Sequence, residues 1–218
     1  MRSQGGFTLV EIAIVLVIIS LLLGGILQGQ SLIQSARVRN LISQVDGVKT
    51  AFYGFQDRYR ALPGDYSQAT VTIPGTIFNG NGNGQIEAGQ ESIAVWDHLS
   101  HAGFITGTYV ASTDNLPTST PTNPWNAYLQ LVYDANYADQ GTPTPRHNLK
   151  TGNQIPVEVM AEVDRKIDDG KALTGIVRFS TYAGAGGAPP QPTTCYDAAT
   201  GIWAAGSGQA DCGGAILF

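Results

Sequence analysis

Glu11 is the only charged residue in an apolar stretch that starts at Phe7 and runs to Leu27, broken otherwise by Thr8, Ser20 and the Gly24-Gly25 pair. A carboxylate at that depth in hydrocarbon is costly, and such residues have a partner and a task. If the chain is cut after Gly6, Phe7 acquires a positively charged α-amino group in the same membrane layer. Glu11 would pair with that amine on a neighbouring copy, each charge offsetting the other's burial. The competing reading is an anchor whose Glu11 reaches up to the headgroups.

A second set of residues has the spacing of a cation site. Asn79, Asn81, Asn83, Gln85 and Glu87 are interleaved with Gly80, Gly82, Gly84 and Ile86, and Glu91 follows. This resembles the ligand half of an EF-hand loop, which gives Ca²⁺ six to eight oxygens. It departs from that pattern in using neutral asparagines for aspartates. Its closing acid also falls one position late, with Gln90 in the expected place. The spacing predicts at most a weak structural Ca²⁺ site, of the roughly millimolar kind found in extracellular modules. A turn-rich loop without an ion accounts for the same Asn-Gly repeats.

No catalytic residue is identified. The nucleophile-elbow, zinc-protease, P-loop and dinucleotide motifs are absent from the sequence. His98 and His101 lie three apart on a predicted helix, without a third ligand. They are expected to be one partly buried and one solvated histidine. Asp164, Asp168 and Asp169 are expected to solvate a helix end. Trp96, Trp125 and Trp203 are assigned to the core and to subunit contacts.

The elements that hold these residues follow from the pattern around them. The Phe7–Leu27 run is long enough to cross a bilayer as one helix. A signal peptide is cleaved after its apolar core, whereas here the Gly5-Gly6 pair precedes it, so cutting there would leave the helix in place. Val38, Leu41, Val45, Val48, Phe52, Phe55 and Tyr59 continue a stripe at alternating spacings of three and four. A single helix to about Arg60, roughly 80 Å long, is therefore expected, ended by Leu62-Pro63-Gly64-Asp65. Beyond it the sequence predicts a polar loop at 65–92, a helix at 93–104, and loop at 111–127. A strand is expected at 128–133 and loop at 134–154. The stretch 156–169 alternates like a strand, but Pro156 and Gly170 favour a helix. Strands at 176–179 and at an edge, 215–218, complete an α+β fold in which one long helix packs on a loop-rich antiparallel sheet.

Gly6-Phe7-Thr8-Leu9-Val10-Glu11 followed by an apolar helix resembles the class III signal of type IV pilins and of type II secretion pseudopilins. The resemblance covers residues 1–27. It implies that a prepilin peptidase cuts after Gly6 and methylates Phe7, and that Glu11 guides subunit docking into a helical filament. It also implies a single-pass precursor in the bacterial inner membrane with a periplasmic domain, which then joins a periplasmic or cell-surface filament. The partners implied are further copies of the chain, the peptidase, the inner membrane and the pilus or secretion assembly platform. Many major pilins carry a proline in the apolar segment; this chain has none there, and Gly24, Gly25 and Gly29 are candidates for local melting instead.

The expected organisation is a leader at 1–6, a transmembrane or filament-core helix at 7–28, its amphipathic continuation at 29–60, and a globular domain at 61–218. Charged residues make up 13% of the chain and Gly and Pro number 27 and 11, which predicts a loop-rich domain. Net charge is −5, and no Lys/Arg run is present, so nucleic acid is not expected as a primary ligand. Cys195 and Cys212 are expected to pair in a periplasmic or surface compartment. Pilin-like proteins often end in a similar disulfide-bounded loop. Taken together, these features predict a structural subunit of a type IV pilus-like filament. The alternatives are a type II secretion pseudopilin or a minor tip subunit that binds without polymerising.

Overall fold

The computed structural model describes residues 8–184, 186 and 188–218. The chain divides into two compact units, Met1–Arg39 and Asn40–Phe218. Helix α1, Leu9–Tyr59, belongs to both.

In the first unit the described residues after Thr8 are one uninterrupted helix, and Gly24, Gly25 and Gly29 are helical like their neighbours. Its apolar side chains from Leu9 to Ile33 stand in the open, with Leu9 at 91% exposure and Ile19 at 46%, whereas Val38 is buried. It is long and apolar enough to cross a membrane.

The second unit is built on the other half of α1. Leu41, Val45, Val48, Phe52 and Phe55 are all buried, as the three-four spacing requires. Arg60 ends the helix in the left-handed region, φ 54°, and its N–H reaches Gln56 O at 2.9 Å, a C-terminal cap without glycine. Gly64 then turns the chain at φ 86°. A Cβ there would lie 2.5 Å from the Glu91 carbonyl oxygen, so Pro63-Gly64 does more than stop a helix: it docks the turn on the helix that carries Glu91.

A single turn of helix, α2 (Ala69–Thr72), interrupts the loop that follows, and α3 runs from Gln90 to His101. Helix α3 starts three residues before its expected position and is buried continuously from Glu91 to Leu99. Strands β1 (Gln130–Asp134) and β2 (Arg146–Lys150) pair antiparallel, then come α4 (Val157–Ile167), β3 (Val177–Phe179), the short α5 (Pro192–Cys195) and β4 (Gly214–Leu217). The sheet order is β1-β2-β4-β3, antiparallel throughout. The α+β class is as expected, and α4 is a helix, but two strand expectations are corrected.

The first correction is β2, which occupies part of the expected loop at 134–154. Its sequence, Arg-His-Asn-Leu-Lys, has no apolar alternation. Yet Asn148 is fully buried and Lys150 is 2% exposed. Polar pairing on one face holds this strand: Asp134 Oδ1 of β1 accepts from Lys150 Nζ and from Asn148 Nδ2, each at 2.9 Å. Burial pushes the Lys150 ammonium below its ordinary value, against the pull of Asp134. Burial alone would raise Asp134, but the Lys150 charge and its hydrogen bonds win and hold the carboxyl low. The second correction is β4, which lies between β2 and β3 and is buried along its length. It is an inner strand, not an edge.

Cys195 and Cys212 form the expected disulfide. Cys212 also pairs with Ile155 through both backbone hydrogen bonds, 2.9 and 3.1 Å. The loop so closed carries Trp203, whose Nε1–H donates to Asp164 Oδ2 on α4 at 2.6 Å. Asp164 is therefore fully buried and anchors this loop, which corrects its reading as a solvating residue. Burial pushes its carboxyl up to about 6.

Candidate functional site

Gly6 and Phe7, the expected processing and methylation residues, lie outside the described residues. Glu11 lies inside them, and the structure shows what its carboxylate does within its own chain. Thr8 N–H donates to Glu11 Oε2 at 2.8 Å and Thr8 Oγ1 donates to the same oxygen at 2.9 Å. In return Glu11 N–H reaches Thr8 Oγ1 at 3.3 Å. This reciprocal pair is a capping box, Thr at the N-cap and Glu three residues on. Both bonds accepted by the carboxylate fall on Oε2. The negative charge also sits at the helix N-terminus, where the aligned peptide dipoles favour it. Thr8 was not identified from the sequence, although Thr-x-x-Glu ahead of an apolar run is itself a readable signal.

The Asn-Gly loop is organised around a residue that sequence reasoning read only as part of a turn. Asp65 is 3% exposed. Its Oδ1 accepts the N–H groups of Gly82 and Asn83 at 2.6 and 3.0 Å, and its Oδ2 accepts Gly84 N–H at 2.8 Å. Gly82 and Gly84 take φ values of 74° and 81°, so that successive N–H groups point into one concavity. Gly80 permits this approach, because a Cβ there would lie 2.3 Å from the Asp65 backbone. The arrangement is a backbone nest filled by the protein's own carboxylate.

Helix α3 closes the rest of the loop. Glu91 accepts Asn81 N–H at 2.9 Å and Glu87 N–H at 3.0 Å. Asp97 accepts Ile77 N–H at 3.4 Å and lies 2.6 Å from His101 Nδ1. His98 is fully buried. Its Nδ1 accepts Gly64 N–H at 2.9 Å, so its Nε2 carries the proton that meets Phe78 O at 2.9 Å. His101 is partly buried against Asp97, so the expected pair of one partly buried and one solvated histidine is corrected: both are drawn in, His98 completely.

The tentative Ca²⁺ ligands are all placed by this network. Asn79 Oδ1 accepts Thr70 N–H at 2.9 Å. Asn81 Oδ1 and Asn83 Oδ1 accept the N–H groups two residues on, of Asn83 and Gln85, at 2.9 and 2.8 Å. Glu87 Oε1 accepts Asn83 Nδ2–H at 2.9 Å. Gln85 and Glu87 are exposed, whereas Glu91 is buried. The loop is closed by N–H groups converging on Asp65 and Glu91.

Burial of His98 lowers its pKa, opposed by the Phe78 carbonyl and by Asp97. A depressed histidine stabilises the fold above its unfolded value of 6.5, and that contribution is lost as the pH falls through 6.5, because the unfolded chain binds the proton first. The melting temperature of the wild type relative to His98→Gln is therefore expected to drop between pH 7.5 and 5.5. Asp164 acts in the opposite sense: raised to about 6, it favours the fold below its unfolded value of 3.8 and loses that contribution as the pH rises through 6. A slope unchanged in His98→Gln would contradict the assignment.

Comparison with known families matches residues 1–27 to the prokaryotic N-terminal methylation motif. No curated protein and no solved structure matches the chain. Residues 1–27 thus carry the prepilin-type signal, of the kind found on pilin and pseudopilin precursors. The motif marks a structural family, implies processing by a prepilin peptidase, and accords with membrane anchoring through the apolar helix.

Proposed function

We propose that this protein is a structural subunit of a type IV pilus-like filament, made as an inner-membrane prepilin, cut after Gly6 and methylated at Phe7. The observation that carries this reading is the methylation motif at residues 1–27 continuing into a helix whose large apolar side chains from Leu9 to Ile33 are exposed. In a filament those apolar faces would pack on the same faces of neighbouring copies, and the unit built from Asn40–Phe218 would lie outside. Glu11 spends only Oε2 on Thr8, so Oε1 is the atom offered to a neighbour's Phe7 amine. A type II secretion pseudopilin would use the same chemistry in a shorter filament.

Electron microscopy of sheared surface material, decorated with antibody against the Asn40–Phe218 unit, tests this. Labelled filaments along their length support a major subunit; label at tips alone, or none, overturns it.

For the Asn-Gly loop we propose a weak, rim-facing Ca²⁺ site using Asn81, Asn83 and Glu87, whose side chains are exposed. Millimolar Ca²⁺ is then expected to raise the melting temperature by a few degrees, Mg²⁺ less so. An unchanged melting temperature would leave Asp65 and Glu91 as the loop's whole closure.

A further inference from the structure

Three Asn-Gly pairs follow one another at Asn79-Gly80, Asn81-Gly82 and Asn83-Gly84. Asparagine before glycine is among the least durable pairings in a polypeptide. Glycine has no side chain to shield its nitrogen, so that nitrogen can attack the side-chain carbonyl carbon of the asparagine before it. A C–N bond forms, the bond to the amide nitrogen breaks, and ammonia leaves with the glycine N–H proton, closing a succinimide ring. Water then opens the ring. Its hydroxyl goes to either carbonyl carbon and its proton returns to the glycine nitrogen, leaving aspartate or isoaspartate. Asn79, Asn81 and Asn83 are all exposed, so water reaches each of them.

The attacking nitrogens are not held alike. Gly82 N–H and Gly84 N–H, which face Asn81 and Asn83 in the reaction, donate to Asp65 Oδ1 at 2.6 Å and to Asp65 Oδ2 at 2.8 Å. Attack requires the N–H to ionise, and a carboxylate against it opposes a second negative charge. Ring closure would also remove a charge-assisted hydrogen bond from the nest for each nitrogen consumed. Gly80 N–H donates instead to Tyr66 O at 3.1 Å. Both ends of the Asn79 amide are spent on Thr70, each at 2.9 Å. Asn79 is therefore restrained without the Asp65 side chain.

We propose that Asn81 and Asn83 are deamidation sites and that the Asp65 carboxylate sets their rate, by keeping the nitrogens of Gly82 and Gly84 from attacking. The reaction then proceeds through local opening of the loop, in proportion to the open population. Its product disturbs the loop. At position 83 the amide that donates to Glu87 Oε1 at 2.9 Å becomes a carboxylate facing a carboxylate. Isoaspartate there also puts a side-chain carbon into the backbone between donors that Asp65 gathers.

The test incubates the full chain in lipid nanodiscs at mildly alkaline pH with a chelator, and follows each asparagine by peptide mass spectrometry. The same chain unfolded in urea gives the unguarded rate. In the folded wild type, Asn81 and Asn83 are expected to react at least tenfold, in order of magnitude, more slowly than in urea. Asp65→Ala should raise both rates about tenfold, and that of Asn79 much less. Asp65→Asn separates the two sites, and replaces Asp65→Ala if that variant does not fold. Its amide oxygen still accepts from Gly82 while its NH₂ opposes Gly84, so Asn83 should accelerate more than Asn81. The proposal is overturned if the folded wild type reacts at the urea rate at Asn81 and Asn83, or if a folded Asp65 variant leaves those rates unchanged. It is overturned equally if Asn79 accelerates as much as they do in a folded Asp65 variant, or if loss of the carboxylate slows the reaction, which would make Asp65 a general base for it.

Discussion

Glu11→Ala is expected to abolish filaments while leaving leader cleavage and membrane insertion intact. Two losses combine in this variant. The capping box disappears, at a cost of about 1 kcal/mol to the helix N-terminus, and the Phe7 amine of a neighbour loses its counter-charge in hydrocarbon. The second loss is the larger, because an unpaired ion there costs at least a few kcal/mol. Glu11→Gln separates them. Glutamine at the third helical position still completes a capping box with Thr8, but it carries no charge. If docking depends on charge, Gln fails as Ala does; filaments restored by Gln would mean that Glu11 acts only through Thr8. Thr8→Ala, which removes one partner of the box and keeps the charge, should reduce filament yield far less than either.

Asp65→Ala is expected to destabilise the Asn40–Phe218 unit by about 4 kcal/mol, since hydrogen bonds to a charged acceptor are worth about 1.5–3 kcal/mol each and do not simply add. Three backbone donors, from Gly82, Asn83 and Gly84, lose their acceptor. With the nest empty, the left-handed turns at Gly82 and Gly84 lose what selects them. Asp65→Asn should cost less, because one amide oxygen still accepts two of these bonds, while its NH₂ opposes the third. Urea unfolding of the full chain in nanodiscs, followed by tryptophan fluorescence, measures both. A loss under 1 kcal/mol for Asp65→Ala would show that Glu91 and the α3 residues close the loop alone. Urea midpoints should fall in the order wild type, Asn, Ala.

The elements that were readable in the sequence are those in which burial follows a period. The α1 stripe is of this kind: Leu41 to Phe55 are buried at the positions that the three-four spacing selects. Helix α4 was ambiguous, because Val157, Val159, Ala161 and Val163 alternate, but all four are buried on a helix, and the Pro156 start decided correctly. Strand β2 was not readable, because Leu149 is the one apolar residue among its three buried ones, and Asn148 and Lys150 are held by Asp134 on the neighbouring strand. A hydropathy period cannot register a strand held by a buried ion pair. β4 was readable as a strand but not as an inner one, since sheet order depends on the strand that was missed.

The same division holds at the candidate site. Glu11 stands out because a charge in an apolar run is conspicuous by itself. Thr8, its hydrogen-bond partner, is conspicuous only to someone looking for a helix cap. Asp65 was absorbed into a turn motif, and its acceptors' partners lie 17 to 19 positions away, beyond any local pattern. His98 and Glu91 looked like ordinary helix residues because a helical wheel does not show which loop will be laid across it.

Under the proposed function, the apolar helix is retained after processing at Gly6 and becomes the assembling part of the subunit. Mass spectrometry of the N-terminal peptide from subunits within purified filaments tests it most directly. The predicted peptide begins at Phe7 and carries one methyl group on its α-amine. A peptide that still contains residues 1–6, or one that begins beyond the apolar helix, would contradict it.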